Sequence, residues 1–375
     1  MPSEVPLWFV AVVLAPSLVT ALVTAYGVRR WAPRWGLIDK PAARKVHVTP
    51  TPLGGGVAIW LAVVLPFAVG QALLWLVVSG VVTPQWLPAV ARPHVAGLLA
   101  QSPRLWILLA AGTVLMVLGL LDDRWGLGWK IRLTVQFGVA AACVTFQDWR
   151  LTAFINVPLV TWLLSVLWIV ALINSFNMLD NMDALSAGIA AIAAGLLAVV
   201  LLTNPAPDTR QPQLFVGGFL LVLMGALLGF LWHNRPVAKL FMGDAGSYFV
   251  GFCIAICTLQ ATFASYDSTS QHTVFAPLCV LAVPLYDLTT VLWIRLREGR
   301  SPFQADKSHF SHRLVELGLT KGQAVLTIYL STATCGLGAL LLYRVDAVGA
   351  GIIVLMILCV LSLIAILETT GRRTR

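Results

Sequence analysis

Charge is what this sequence has least of. Asp, Glu, Lys and Arg make up 11% of its 375 residues, where a soluble domain carries about 25%. So few charged side chains cannot cover the water-facing surface of a protein this size, which excludes an ordinary soluble enzyme. The six cysteines, Cys143, Cys253, Cys257, Cys279, Cys335 and Cys359, form no CxxC pair and lie in apolar stretches, as buried apolar residues do. That placement speaks against a zinc ribbon or a disulfide framework. No GxxxxGK[ST] occurs, which argues against a P-loop nucleotidase. The first apolar segment lacks a basic leader and a small-residue cleavage pattern, so it reads as a retained helix, not a signal peptide. Neither an internal repeat nor a linker divides the chain, which reads as a single domain over 1–375.

What is abundant is apolar sequence: 59% of residues are hydrophobic. The mean hydropathy is +0.87. A span needs about 20 mostly apolar residues, and a bilayer demands that every backbone polar group be satisfied internally. Continuous runs such as LWILLAAGTVLMVLGLL are not the alternating strands of a membrane barrel. The expectation is an all-α, polytopic membrane helix bundle of about 11 transmembrane helices: 6–28, 54–75, 105–121, 131–147, 154–173, 184–203, 213–232, 246–265, 273–294, 323–343 and 348–368. A weaker apolar piece at 94–100 reads as interfacial.

With an odd number of spans, one set of connections holds 20 of the 25 basic residues and the other holds five, Arg92, Arg104, Arg150, Arg210 and Arg344. The positive-inside bias makes the richer side cytoplasmic, with the N-terminus outside and the C-terminus inside. The formal charge of +9 therefore follows a membrane, where it can attract anionic lipids, and not a nucleic acid.

Five polar segments fall on that side, at about 29–53, 122–130, 174–183, 233–245 and 295–322. The first, with Lys40, Arg44, Lys45 and His47, is basic and stiffened by prolines. In GLLDDRWGLGWK, the adjacent carboxylates Asp122 and Asp123 repel, so a metal, a proton or a base such as Lys130 should offset them. In NSFNMLDNMDALSAG, Asn177, Asp180 and Asp183 recur every three residues and share a face if the helix continues. Asn174 and Asn181 enrich the same stretch. In FMGDAGS, Gly243 and Gly246 flank Asp244, and Phe241 offers an aromatic face suited to stacking. In SPFQADKSHFSHRL, His309 and His312 are three apart, with Arg313 next and Lys307 before them, a spacing that suits phosphate contact better than zinc. Asp287, near Pro284 inside an apolar span, reads as either structural or site-lining. Each segment alone also reads as a solvated helix end. Together, carboxylates for a divalent ion, cations for phosphate and an Asn/Asp pocket are the parts of phosphoryl transfer.

In this order the five motifs resemble the polyprenyl-phosphate N-acetylhexosamine-1-phosphate transferases (glycosyltransferase family 4), over about residues 20–325. The resemblance implies transfer of a sugar 1-phosphate from a UDP-N-acetylhexosamine to undecaprenyl phosphate at the cytoplasmic membrane. UMP is released and Mg²⁺, or Mn²⁺ in its place, is required. It puts Asp122 and Asp123 near the phosphates and makes Asp244 a metal position; the Asp123 carboxylate is the expected second ligand to that ion. Asn177, Asp180, Asp183 and Phe241 fall around the nucleotide, and His309, His312 and Arg313 beside the sugar diphosphate. The NMLD wording is similar to the UDP-GlcNAc branch, with the phospho-N-acetylmuramoyl-pentapeptide transferases as the alternative. A transporter of an anionic substrate is the competing class, and a homodimer is compatible with either. Two departures from the family pattern stand out. The common HxHH carries Ser311 in place of one imidazole, and DG(L/I)DG reads Asp180, Asn181, Met182, Asp183, Ala184, without either glycine.

Overall fold

A computed structural model describes residues 5–39, 50–83, 85, 92, 95–151, 154–264, 270–303 and 308–373, with side chains to 368. The chain is helical almost throughout. The helices are α1 (Leu7–Trp31), α2 (Gly55–Val78), α3 (Val95–Trp125), α4 (Trp129–Gln147), α5 (Pro158–Leu179), α6 (Leu185–Thr203) and α7 (Leu214–Asn234). After them come α8 (Gly243–Gln260), α9 (Ala276–Val280), α10 (Ala282–Arg297), α11 (Phe310–Glu316), α12 (Lys321–Leu341) and α13 (Ala347–Arg373). A two-residue antiparallel ladder joins β1 (Ile38–Asp39) to β2 (Thr51–Pro52). The basic residues Lys40, Arg44, Lys45, His47 and Lys307 lie outside the described residues.

Among the described residues, eight helical segments are long and apolar enough to cross a bilayer, or nine if one bent pair counts as a single span. The fold is thus an all-α, multi-pass membrane bundle. Every one of the 11 segments expected from the sequence contains helix, but α4 and α8 are not among the eight. Their first turns are polar: Lys130 and Arg132 open α4, and Gly-Asp-Ala-Gly-Ser opens α8. The described part of the weaker apolar piece at 94–100 belongs to α3, which runs unbroken from Val95 through Pro103 to the acidic pair. The stretch predicted as one span over 273–294 is instead bent by 66° between Gln271–Val280 and Ala282–Arg297. Leu281 departs from helical geometry at the break, and Pro284 sits in the first turn of α10, where its missing N–H leaves no helical bond unmade.

The core is centred on α8, which is buried along nearly its whole length. Helices in a bilayer gain little from hiding apolar surface from lipid, so close backbone approach through small residues does more of the packing. Three neighbours come that close to α8. Gly56 of α2 lies against Gly246, Gly119 of α3 against the backbone of Asp244 and Ala245, and Gly251 against Leu172 and Ile173 of α5. The N-terminus of α8 is thereby fixed at one end of the bundle, beside the ends of α3, α4 and α5.

Candidate active site

The first N–H groups of a helix have no partner within it, and carboxylates satisfy them best because the helix dipole is positive there. At α8, carboxylates from two other helices do this. Asp180, just past the end of α5, accepts from the Gly243 N–H at 3.1 Å. The Asp123 carboxylate, at the end of α3, accepts from Asp244 N–H at 2.9 Å and Ala245 N–H at 3.3 Å. Gly243 has φ +69°, and a side chain there would run into the Asp123 carboxylate. The loop before α8 is held from the other side, where Phe241 N–H donates to Pro52 O (2.9 Å) and Gly55 N–H to Phe241 O (2.8 Å). That pairing brings Asp39 of β1 within electrostatic reach of Asp123, as Asp122, Asp180 and Asp244 also are.

Asp122 is 6% exposed and fully engaged. It accepts from Leu127 N–H (2.7 Å), from Arg132 (2.9 Å) and from the Tyr248 hydroxyl (3.2 Å). Arg132 also lies 3.8 Å from Asp244, whose other oxygen accepts from Asn177 Nδ2 at 2.6 Å. The guanidinium, 30% exposed, thus bridges the acidic pair and the metal candidate. Burial first, then the charges of Asp123 and Asp183, pushes the Asp180 carboxyl up to about 7. Crowded carboxylates of this kind attract a hard cation. Among the described residues, no three acidic or sulfur/imidazole side chains close into a ligand set. The donors present, Asp244, Asp123 and Asp180, suit an ion held by one or two carboxylates and completed by water and substrate phosphates, which is Mg²⁺ chemistry.

A cleft of about 600 Å³ opens beside these groups. Its polar end is lined by Arg132, Asn174, Asn177, Asn181, Arg295 and His309. Its remainder is apolar, formed by Leu133 and Phe137 of α4, Leu167 and Val170 of α5, and Leu288 and Leu292 of α10. Trp129 and Phe303, also on the wall, stack with centroids 4.1 Å apart.

The structure distributes the remaining sequence-predicted residues unevenly. His309 caps α11, and its ring lies 6.3 Å from that of His312. Asp287, whose role the sequence left open, is an anchor, receiving Phe310 N–H (2.6 Å) and lying 3.1 Å from His309 Nδ1. Arg313 is 3% exposed and does not line the cleft: its Nε is 3.0 Å from Glu368 of α13, and it donates to Ser308 O (2.8 Å) and Thr290 (3.1 Å). Asn177, Asp180 and Asp183 do not share a helix face, because α5 ends at Leu179. Asp183 instead receives Ala238 N–H at 3.0 Å. Lys130 is exposed and sits over the Trp129 ring (5.8 Å), so the base that offsets Asp122 is Arg132. Phe241 is half-buried beside the carboxylate corner. Arg132 and Tyr248 are the residues that sequence reasoning missed. From sequence alone Arg132 is one of the 20 basic residues on the richer side, and Tyr248 lies one turn beyond Asp244, a helical spacing that could have revealed it.

Residues 105–262 match the family model described as glycosyl transferase family 4. A probable undecaprenyl-phosphate N-acetylglucosaminyl 1-phosphate transferase of Bacillus subtilis is 32% identical over 372 residues, 96% of this chain and 92% of the relative. A decaprenyl-phosphate N-acetylglucosaminephosphotransferase of Mycobacterium tuberculosis is 34% identical over 361 residues, covering 90% and 83%. The undecaprenyl-phosphate alpha-N-acetylglucosaminyl 1-phosphate transferase of Escherichia coli K12 is 28% identical over 317 residues, covering 81% and 76%.

Proposed function

Since the chain belongs to glycosyl transferase family 4, the polyprenyl-phosphate N-acetylhexosamine-1-phosphate transferases, we propose that it transfers N-acetylglucosamine 1-phosphate from UDP-GlcNAc to undecaprenyl phosphate. The observation that carries this reading is the cleft, whose cationic and amide end beside the carboxylates continues into an apolar channel between α4, α5 and α10. A phosphate on a long hydrocarbon tail has that same polarity. The reaction runs, in this reading, on the cytoplasmic side of the cell membrane, which the distribution of Lys and Arg supports.

In the reaction, an oxygen of the lipid phosphate attacks the β-phosphorus of the donor. A new P–O bond forms as the bond to UMP breaks, and UMP leaves with the electron pair. A phosphate monoester loses its second proton near pH 6, so no strong base is required at about pH 7. Asp122, with Arg132, Tyr248 and Leu127 N–H all directed at it, is then a holder of Arg132 and not a nucleophile. Arg132 faces the cleft and neutralises phosphate charge, while Asn177 orients Asp244. Asp244, with Asp123 and Asp180 beside it, would hold Mg²⁺, which supplies charge neutralisation at the pyrophosphate. His309, held by Asp287, presents its imidazole to the sugar-phosphate end of the cleft.

The test is purified protein, undecaprenyl phosphate and Mg²⁺ with a panel of UDP-sugars, measuring UMP and lipid product together. Preference for UDP-MurNAc-pentapeptide would overturn the donor. Substrate flux across vesicles without UMP would overturn the class. Asp244→Asn should fold and lose about a hundredfold or more in turnover, with Mg²⁺ dependence blunted. A folded variant with near-normal turnover removes Asp244 from the mechanism.

A further inference from the structure

The two places where the sequence departs from its family pattern touch each other. Ser311 is fully buried, and its hydroxyl donates to Asn181 Oδ1 at 2.6 Å. The Asn181 amide donates in turn to Met178 O at 2.7 Å, the last turn of α5. Both ends of the Asn181 side chain are therefore committed, one to the end of α5 and one to the imidazole turn. Asn181 stands next to Asp180, which holds the N-terminus of α8, while Ser311 stands between His309 and His312. Asn181 and His309 line the same cleft.

We propose that Ser311 and Asn181 form a positioning clasp that sets how far the His309 imidazole stands from the carboxylate corner, and that the two residues function as one unit for the UDP-sugar end of the site. The Asp287 and Glu368 contacts tie α11 to α10 and α13; the Ser311–Asn181 bond ties it to the corner that carries Asp180. Asn181 is not among the residues with positive φ, so the backbone does not demand a glycine there. A glycine at 181 would supply room. An imidazole at 311 needs that room, because the buried hydroxyl already sits at contact distance from Asn181. Side chain at 181 with hydroxyl at 311, or no side chain at 181 with imidazole at 311, are the two arrangements that fill the same space.

This inference rests on the proposed transferase reading, and the experiment keeps the two apart. Ser311→Ala, Asn181→Ala and their double variant are compared with Ser311→His and Ser311→His/Asn181→Gly, each by thermal unfolding in detergent and by steady-state kinetics. Loss of one buried hydrogen bond should raise the KM for UDP-GlcNAc by about three- to tenfold. The KM for undecaprenyl phosphate, whose headgroup shares the cleft that Asn181 lines, should rise clearly less, and the double alanine variant should be no worse than the worse single. Ser311→His alone should be the poorest enzyme, and adding Asn181→Gly should restore it severalfold. Multiplicative losses in the double alanine variant, equal shifts in both KM values, or a folded Ser311→His that Asn181→Gly does not improve would each overturn the clasp. If Ser311→His does not fold, the alanine cycle decides alone. If the parent protein releases no UMP, the transferase reading fails, and the clasp is judged by whether the unfolding shifts of the alanine variants are non-additive.

Discussion

Gly119 carries no chemistry, yet its replacement by alanine should disable the enzyme. It lies one turn before Asp122 and Asp123, where a methyl group would overlap the backbone carbonyl of Asp244 and the amide nitrogen of Ala245. Those atoms cannot rotate aside. A carbon needs about 3.5 Å from its non-bonded neighbours, so α3 and α8 would have to part by roughly 1 Å. The contacts from Asp123 to Asp244 N–H and Ala245 N–H, 2.9 and 3.3 Å, would stretch beyond hydrogen-bonding range. Overpacking of this kind costs about 1–3 kcal/mol, and a 1 Å displacement at a reacting centre costs about a hundredfold in rate. Gly112→Ala, two turns earlier on α3, is the matched control. Its methyl would meet the Phe249 ring edge at 2.9 Å, and a ring can tilt away. Both variants would be followed by thermal unfolding and by UMP release from UDP-GlcNAc. The expected result is a comparable stability loss with turnover abolished only in Gly119→Ala. Near-normal turnover in that variant, or equal inactivity in the control, would refute the claim that α3–α8 closeness sets the site.

Two further outcomes follow from the charges. Arg132→Met should reduce turnover by about a hundredfold, and Arg132→Lys should recover only part of it, since one guanidinium nitrogen, Nη1, makes both carboxylate contacts and an ammonium in its place brings none of the other N–H donors to the cleft that Arg132 lines; full activity in the Lys variant would refute the bridging role. The Asp180 carboxyl, pushed up to about 7, sits above its unfolded value near 3.9, so its protonated form favours the fold at low pH. That contribution is complete below about pH 4 and is lost as pH rises towards 7. Without divalent cation the melting temperature should therefore fall across about pH 5 to 7.5, Asp180→Asn should flatten the slope, and Mg²⁺ should offset it at the upper end. A parent protein with a flat profile would remove Asp180 from the carboxylate cluster.

The bundle was legible because lipid-spanning segments advertise themselves as continuous apolar runs, as in α6 and α7. The same continuity concealed the bend at Leu281, since residues on both sides of it are apolar. The carboxylates were legible because a charge at a span boundary is costly and therefore noticeable. Their partners were less so. Arg132 was one cation among many on its side until Asp122 and Asp244 were seen to flank it. Arg313 follows His312 directly, but adjacent residues on a helix point about 100° apart, and its partner Glu368 lies far along the chain. The glycines lost from DG(L/I)DG also separate in meaning. Ala184 has φ +65°, a left-handed conformation that favours glycine, and it is held there by Asn234 and by the Tyr329 hydroxyl. Asn181 bears no such constraint.

The pairing of Arg313 with Glu368 has a consequence for how the molecule is made. The imidazole turn emerges from the ribosome before α12 and α13, yet the buried guanidinium in that turn has its carboxylate on the last helix described, where Tyr286 also donates to it at 3.0 Å. An uncompensated buried cation is strongly disfavoured. During membrane insertion the turn should therefore stay undocked until α13 has packed beside α10. Docking of the imidazole turn would then be a late event of biogenesis, waiting on the helix that carries Glu368.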